Sequence, residues 1–304
     1  MHRRQFLADS AVTLAGLAAA APAMAQTNAA LLTSPIPSTG ERIPRIGLGT
    51  WQVFDVGSDA TRRAGLAETL RVFTQGGGRV VDSSPMYGSS ESVLGDLARD
   101  ARLHDSLWMA TKVWTSGEAA GVRQMETSLA RLRTERLQLM QVHNLLDWQV
   151  HLRTLREWKE RGRVKYIGVT HYQQGAFDDV ERVLRAERLD FVQLNLSLDE
   201  PEAAQRMLSL CAERGVAFLA NRPFGGGGAL SRVRSTPLPA WASEFGIASW
   251  AQYLLKWVLA HEPVTCAIPG TSNPRHMADN LGAARGAPLD ARARDRLAAH
   301  WRSL

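Results

Sequence analysis

Short apolar segments rich in β-branched residues alternate with amphipathic segments along most of this chain. In stretches such as 150–161 and 202–214, apolar residues return at intervals of three and four, which predicts helices. Strands that alternate with helices are typical of parallel sheets. The eight predicted strands are 45–49, 79–83, 108–113, 137–143, 165–170, 191–197, 216–221 and 264–269. Eight such units in succession favour closure over an open sheet, so we predict an α/β fold with a single (β/α)8 TIM barrel.

Two further short segments, 31–36 and 42–44, precede the first of these strands. Thr39-Gly40 lies between them, and a glycine at this place is typical of a turn. We therefore predict a short N-terminal β-hairpin before the barrel. Barrels of roughly 250 residues are routinely single units, so one domain, 26–304, is expected to contain both the hairpin and the barrel.

The first 25 residues have the features of an export signal. Arg3-Arg4 precedes Phe6-Leu7, and the apolar stretch 11–21 that follows is shorter than the about 20 residues that a membrane span needs. The small residues of 23–25 have the spacing of a cleavage site. We predict a twin-arginine signal peptide, 1–25, that sends the folded protein to the periplasm through the twin-arginine export machinery, without stable membrane insertion. The alternatives are an uncleaved anchor and a chance arginine pair.

Charge and cysteine content restrict the possible partners. The net charge is +6, but the basic residues are scattered rather than clustered, so no nucleic-acid partner is expected. Cys211 lies in a predicted helix and Cys266 in a late predicted strand, so we expect two buried free thiols. Because no pair of histidines or cysteines has ligand spacing, no metal site is expected.

Four polar residues lie at or near the ends of three successive predicted strands, where barrel enzymes place their chemistry. Asp82, Lys112 and His143 end these strands, and Tyr87 follows Asp82 in the loop. Each residue alone fits a helix cap or ordinary packing. The chain has only four lysines among many arginines, and a lysine, unlike an arginine, is a compact charge suited to tuning a neighbouring proton donor. Together, the four residues predict a catalytic site.

The order and spacing of these residues resemble the aldo/keto reductase family over nearly all of the chain after residue 25. The resemblance rests on IPRIGLGTW (43–51), VVDSS (80–84) with Tyr87-Gly88, Thr111-Lys112, Gln141-Val142-His143, and IPGT (268–271) leading to Asn280-Leu281-Gly282.

The resemblance implies NADPH-dependent reduction of a small aldehyde or ketone to an alcohol. Tyr87 is the implied proton donor, and the ammonium group of Lys112 is expected to lower the phenol pKa from its ordinary value near 10. Asp82 is implied to pair with Lys112 and keep it charged. His143 is implied to hydrogen-bond the substrate carbonyl, while the cofactor carries the hydride.

The same resemblance implies residues that hold the nicotinamide end of NADP(H). Gln193 fits the family pattern. Thr170-His171 stands where the family usually has Ser-Asn, and a histidine at 171 can still donate a hydrogen bond. Asn221-Arg222 stands where many members place an aromatic residue under the nicotinamide, and we expect the guanidinium plane of Arg222 to stack there.

A second group of residues is expected to bind the adenosine 2′-phosphate, which favours NADPH over NADH. These residues lie at a loop-to-helix junction opened by Pro274, and a helix N-terminus beside an arginine suits a phosphate. The alternative is an ordinary capped helix. The predicted residues at this cofactor-binding end are Thr271, Ser272, Arg275, His276 and Asn280.

Aromatic residues in or near the strand-to-helix loops are candidates for the substrate pocket, with ordinary packing as the alternative for each. Few charges accompany them, which indicates a small neutral carbonyl compound. The candidates are Trp51, Trp114, Trp148 and Tyr172.

A protein of a different class fits the same residues. Some relatives with this barrel bind the nucleotide and turn over little, and a fold does not determine a function. The second hypothesis is therefore a low-turnover or non-catalytic NADP(H)-binding redox-sensing protein.

Overall fold

The computed structural model describes residues 29–304, and the predicted signal peptide, 1–25, lies outside the described residues. The strands are β1 (Thr33–Pro35), β2 (Arg42–Pro44), β3 (Leu48–Gly49), β4 (Val80–Asp82), β5 (Trp108–Val113), β6 (Leu137–His143), β7 (Val164–Thr170), β8 (Phe191–Asn195), β9 (Ala217–Asn221) and β10 (Val264–Ala267).

Strands β3 to β10 form one parallel sheet in chain order, and its two edges meet. Parallel bridges join Ile46 to Ala267 and Gly49 to Gly270. The Gly47 N–H also donates to the Ala267 carbonyl at 2.8 Å. The sheet therefore closes into the predicted (β/α)8 barrel.

Ten α-helices lie among the described residues, and at least one follows each barrel strand. Side-chain caps begin several of them: Asp59 accepts from the Arg62 N–H, and Ser249 accepts from the Gln252 N–H. No helix within 29–304 is both long and apolar enough to cross a membrane. The helices are α1 (Ala60–Gln75), α2 (Ser90–Asp100), α3 (Glu118–Arg131), α4 (Trp148–Glu160), α5 (Phe177–Ala186), α6 (Glu202–Arg214), α7 (Gly228–Arg232), α8 (Trp250–Leu259), α9 (Pro274–Gly282) and α10 (Ala291–Ser303).

The predicted hairpin is present as antiparallel β1 and β2, with Ser34 opposite Ile43. It covers the amino-terminal end of the barrel, because Ile36 and Ile43 are buried against the lumen aromatics Trp108, Tyr166 and Phe191. The Tyr166 hydroxyl also donates to Glu41 Oε2 at 2.6 Å. The hairpin leaves the opposite end of the barrel, where the strands lead into helices, open to a ligand.

Five strands are shorter than predicted. Those predicted at 79–83 and 216–221 are shorter by one residue at one or both ends, and two of the other three end early for a local reason. The strand predicted at 191–197 ends at Asn195, because Ser197 and Glu200 exchange backbone hydrogen bonds in a turn. The strand predicted at 264–269 ends at Ala267, and Pro269 has no N–H for the sheet. The strand predicted at 45–49 is regular only over Leu48–Gly49. Cys211 and Cys266 are buried free thiols, as predicted.

Candidate active site

A cavity of about 430 Å³ lies at the carboxyl-terminal end of the barrel. This volume is within the usual range of roughly 300–1,000 Å³ for small-molecule sites. Its wall includes residues from six barrel strands and from the loops that follow. The strand residues on the wall are Gly49, Asp82, His143, Thr170 and Asn221 at strand ends, and Gln193 in the middle of β8.

A buried ion pair lies at the floor of this cavity. Lys112 Nζ donates to Asp82 Oδ2 at 2.6 Å and to the Ser83 carbonyl at 2.7 Å. The side chains of Lys112 and Asp82 are only 0% and 3% exposed. Burial alone lowers the pKa of Lys112, but the Asp82 carboxylate and Tyr87 outweigh it and hold the pKa above its ordinary value. Lys112 therefore stays charged.

The second oxygen of Asp82 is held by two amides. Oδ1 accepts from Gln193 Nε2 at 2.9 Å and from Gln141 Nε2 at 3.3 Å. The parallel register explains this convergence, because Lys112 lies opposite Gln141 in neighbouring strands and both side chains are buried. The sequence motif contained Gln141, but its spacing alone did not indicate this contact with Asp82.

Tyr87 lies beside the ion pair. Lys112 Nζ is 4.9 Å from the centroid of its ring. Burial raises the pKa of Tyr87 above its ordinary value, Lys112 lowers it, and the Asp82 charge raises it again. The influence of Lys112 has the predicted sign, but burial outweighs it, so the expected lowering of the pKa is not found. Tyr87 is therefore a protonated phenol at neutral pH.

His143 contacts the same phenol, since the two rings meet edge to face with centroids 6.0 Å apart. Burial, the charge of Lys112 and His171 lower the pKa of His143 to about 2. The imidazole is therefore neutral at any working pH and carries a single ring proton. A residue that was not predicted contacts it: Ser84 Oγ is 3.2 Å from His143 Nδ1.

The residues predicted for the nicotinamide lie together, with one exception. Thr170 Oγ1 donates to Gln193 Oε1 at 3.2 Å, and Asn221 Nδ2 lies 3.4 Å from the same oxygen. Arg222 lines the cavity with a left-handed φ of 48°. His171 instead faces its own loop, where its Nδ1 accepts from the Gln173 N–H and its ring stacks on Tyr172.

Unpaired polar atoms in this wall fit a bound nucleotide. Asn221 Oδ1 and Arg222 Nε are buried and have no hydrogen-bond partner in the described part of the chain. Gly226, with φ of 68°, lies so close to Arg222 that a Cβ would be 2.9 Å from the guanidinium. The amide oxygen of Asn221 and the guanidinium of Arg222 are thus available to an anionic or amide-bearing ligand.

Four of the residues predicted for the 2′-phosphate lie around the start of α9, and Asn280 lies in its last turn. Asn273 caps this helix by accepting from the Arg275 N–H at 2.9 Å, and Thr271 Oγ1 accepts from the Asn273 N–H at 3.1 Å. Ser272, Arg275 and His276 are exposed, whereas Thr271 and Asn280 are buried. None of the ion pairs within 29–304 includes Arg275, so its guanidinium is available to a phosphate.

Two of the four aromatic residues predicted for the pocket line the cavity. Trp51 and Tyr172 stand at its mouth and are 45% and 46% exposed. Trp114 is exposed on the loop after β5, and Trp148 packs partly buried at the start of α4, so neither is among the cavity-lining residues. Lining residues that were not predicted include Val53, Met86, Asn144, Phe224 and Leu230. Of these, only Met86 and Asn144 adjoin predicted site residues in the sequence, Tyr87 and His143.

Comparisons with known proteins agree with this architecture. The family model described as "Aldo/keto reductase family" matches residues 45–302. The methylglyoxal reductase YeaE of Escherichia coli is 24% identical over 246 residues, which is 78% of this chain and 84% of that protein. An aldo-keto reductase of Mycobacterium sp. (strain JLS) is 27% identical over 253 residues, 80% of this chain and 84% of its own length.

Solved structures show the same barrel. An aldo/keto reductase from Klebsiella pneumoniae, in complex with NADP and acetate, has a TM-score of 0.73 and 25% identity, covering 86% of this chain and 93% of that one. Another structure of an aldo-keto reductase from that organism, in complex with NADPH, has a TM-score of 0.74 and 25% identity, covering 86% and 92%. With the matched region spanning the whole barrel, the chain belongs to the aldo/keto reductase family.

Proposed function

We propose that this protein reduces a small aldehyde or ketone to an alcohol with NADPH, using Tyr87 as the proton donor. The observation that carries the proposal is the buried Asp82–Lys112 ion pair beside Tyr87, at the floor of a cavity that His143 also lines. The NADP and NADPH in the Klebsiella pneumoniae structures support the choice of cofactor. The methylglyoxal reductase among the relatives supports a small carbonyl substrate.

Each residue has a defined task in this reaction. When bound, NADPH supplies the hydride, and Gln193, Asn221 and Arg222 would hold its nicotinamide end. The Tyr87 hydroxyl donates its proton to the carbonyl oxygen as negative charge develops there. Lys112 stabilises the phenolate left behind, and Asp82 keeps Lys112 charged and in place. Proton donation of this kind contributes on the order of 10²–10⁴ to the rate.

The cavity restricts the substrate. Its 430 Å³ must hold the nicotinamide and the carbonyl compound together. Trp51, Met86 and Tyr172 at the mouth offer apolar contact. We therefore propose a small neutral carbonyl compound.

One observation favours the low-turnover alternative, in which the barrel binds NADP(H) and senses redox state. Burial raises the pKa of Tyr87, and a weaker acid gives up its proton more slowly. The two functions are separated by purifying the mature protein, identifying any bound nucleotide, and following NADPH oxidation against a panel of small aldehydes. Aldehyde-dependent oxidation supports the reductase, whereas tightly retained nucleotide without turnover supports the sensor.

Arg275→Ala is expected to weaken NADPH binding more than NADH binding, because only NADPH carries the 2′-phosphate. A charge-assisted hydrogen bond is worth about 1.5–3 kcal/mol, so the ratio of the two affinities should change roughly tenfold or more. Fluorescence titration of both cofactors measures this ratio. Arg292→Ala, an exposed arginine of α10, is the matched control. Equal losses for both cofactors would show that Arg275 serves the fold or the shared part of the nucleotide.

We also propose that the protein is exported, folded, to the periplasm. The basis is the Arg3-Arg4 pair and the apolar segment after it. The cofactor is made in the cytoplasm, whereas the signal directs export. Both are compatible if the chain folds around NADP(H) before it is exported. A cofactor that binds only the folded state also stabilises that state. The gain is about 2.7 kcal/mol when the free cofactor is at a hundred times its Kd.

The double variant Arg3→Lys/Arg4→Lys is expected to remain unprocessed in the cytoplasm and yet to be folded when purified. Cell fractionation and the mass of the mature N-terminus measure export and cleavage after Ala25. The wild-type chain expressed in parallel is the control. Export and normal cleavage of the double variant would contradict the twin-arginine assignment.

A further inference from the structure

A buried hydroxyl lies against one edge of the His143 ring. Ser84 Oγ is 3.2 Å from His143 Nδ1, and it also lies 3.4 Å from the Met86 backbone N–H. Ser84 is fully buried, while His143 lines the cavity. Nδ1 therefore points into the protein, and Nε2, on the other edge of the ring, is the nitrogen that the cavity can reach.

The turn that contains Ser84 fixes the hydroxyl in place. The Tyr87 N–H donates to the Ser84 carbonyl at 3.1 Å, so the backbone bends back between Asp82 and Tyr87. The same four-residue turn thereby positions the proton donor Tyr87 and the hydroxyl that contacts His143.

The hydrogen-bonding capacity of the two groups determines the direction of this bond. A serine hydroxyl has one hydrogen to donate and accepts through its lone pairs, and a neutral imidazole has one N–H. If Ser84 donates to Nδ1 and accepts from the Met86 N–H, the hydroxyl hydrogen, the Nδ1 lone pair and the Met86 N–H all have partners. If Nδ1 carried the proton, the Ser84 hydrogen would be buried without an acceptor in the described part of the chain, which native proteins avoid.

We propose that Ser84 is a positioning residue that fixes the neutral imidazole of His143 as the tautomer protonated on Nε2. The inference rests on the proposed function for its catalytic meaning. With Nε2–H facing the cavity, His143 donates to the carbonyl oxygen of the substrate and directs it toward the Tyr87 hydroxyl. The other tautomer would present a lone pair to that oxygen and repel it.

The direct test is the ¹⁵N spectrum of the histidine rings in the full holoenzyme, with His143 assigned by the loss of its signals in His143→Asn. We expect an unprotonated, hydrogen-bonded Nδ1 and a protonated Nε2. Ser84→Ala should move the Nδ1 resonance and mix the tautomers, and Ser84→Thr should restore the wild-type shifts. A wild-type ring protonated on Nδ1 would overturn the proposal whatever the activity. So would unchanged shifts in Ser84→Ala.

Kinetics of the same variants provide a second readout. Ser84→Ala should lower kcat for a small aldehyde about three- to tenfold, the ratio that one neutral hydrogen bond represents, while NADPH affinity stays unchanged. Ser90→Ala, which removes another buried hydroxyl at the start of α2, should leave the His143 spectrum and kcat unchanged. If kcat of Ser84→Ala equals that of Ser90→Ala, the proposal that Ser84 supports catalysis through His143 is overturned. A wild-type protein without turnover but with the expected spectrum would refute the reductase and leave the tautomer assignment intact.

Discussion

Tyr87→Phe is expected to remove aldehyde reduction almost completely and to leave NADPH affinity nearly unchanged. The substitution keeps the ring that contacts Lys112 and His143 but removes the proton that the developing alkoxide needs. Loss of a general acid costs on the order of 10²–10⁴ in rate. Steady-state kcat with a good aldehyde and a fluorescence titration with NADPH measure the two effects.

Tyr166→Phe is the matched control, because this tyrosine is buried in the same barrel but at the opposite end, where its hydroxyl contacts Glu41 and Thr39. The Tyr166→Phe variant is expected to keep the wild-type kcat, even if its free energy of unfolding falls. A near-normal kcat in Tyr87→Phe would remove Tyr87 from the mechanism.

Lys112→Met is expected to reduce both activity and stability. It leaves the Asp82 carboxylate buried without its cation, and breaking a buried ion pair in this way costs about 3–5 kcal/mol of unfolding free energy. It also removes the charge that stabilises the Tyr87 phenolate. Denaturant titration and kcat measurements give the two losses. Lys165→Met breaks the more exposed ion pair with Glu41 and should cost less than about 1 kcal/mol.

The double variant Asp82→Asn/Lys112→Met separates the two effects. The double variant has no buried unpaired carboxylate. It should therefore regain most of the unfolding free energy that Lys112→Met loses, because Gln193 and Gln141 can still donate to the amide oxygen that replaces Asp82 Oδ1. Activity should stay as low as in Lys112→Met. A double variant that regains activity would show that the ion pair serves only the fold.

Much of the barrel follows from the sequence pattern. Strands β5 and β6 begin and end where predicted, because each is a mostly apolar run bounded by loop residues. The prediction extended β8 too far because Leu196 is apolar and buried like a strand residue, although the regular strand ends at Asn195. Apolar periodicity reports burial, and it does not report which backbone groups pair.

The candidate site was predictable only in part. Strand ends identified Asp82, Lys112 and His143 because parallel strands of a barrel end on the same rim. The contacts of Ser84 with His143 and of Gln141 with Asp82 depend on loop geometry and strand register, which no local pattern specifies. The raised pKa of Tyr87 depends on how deeply the phenol is buried. The directions of Trp114 and Trp148 depend on loop conformation in the same way.

The most direct measurement for the proposed reaction follows the hydride itself. The purified protein is incubated with NADPH deuterated at the transferring position and a small aldehyde, and the alcohol is analysed by mass spectrometry. The proposed function predicts one deuterium on the carbinol carbon for each NADPH oxidised, and a loss of this product in Tyr87→Phe. Retained nucleotide with no labelled alcohol from any aldehyde of the panel would contradict the assignment of this barrel as a carbonyl reductase.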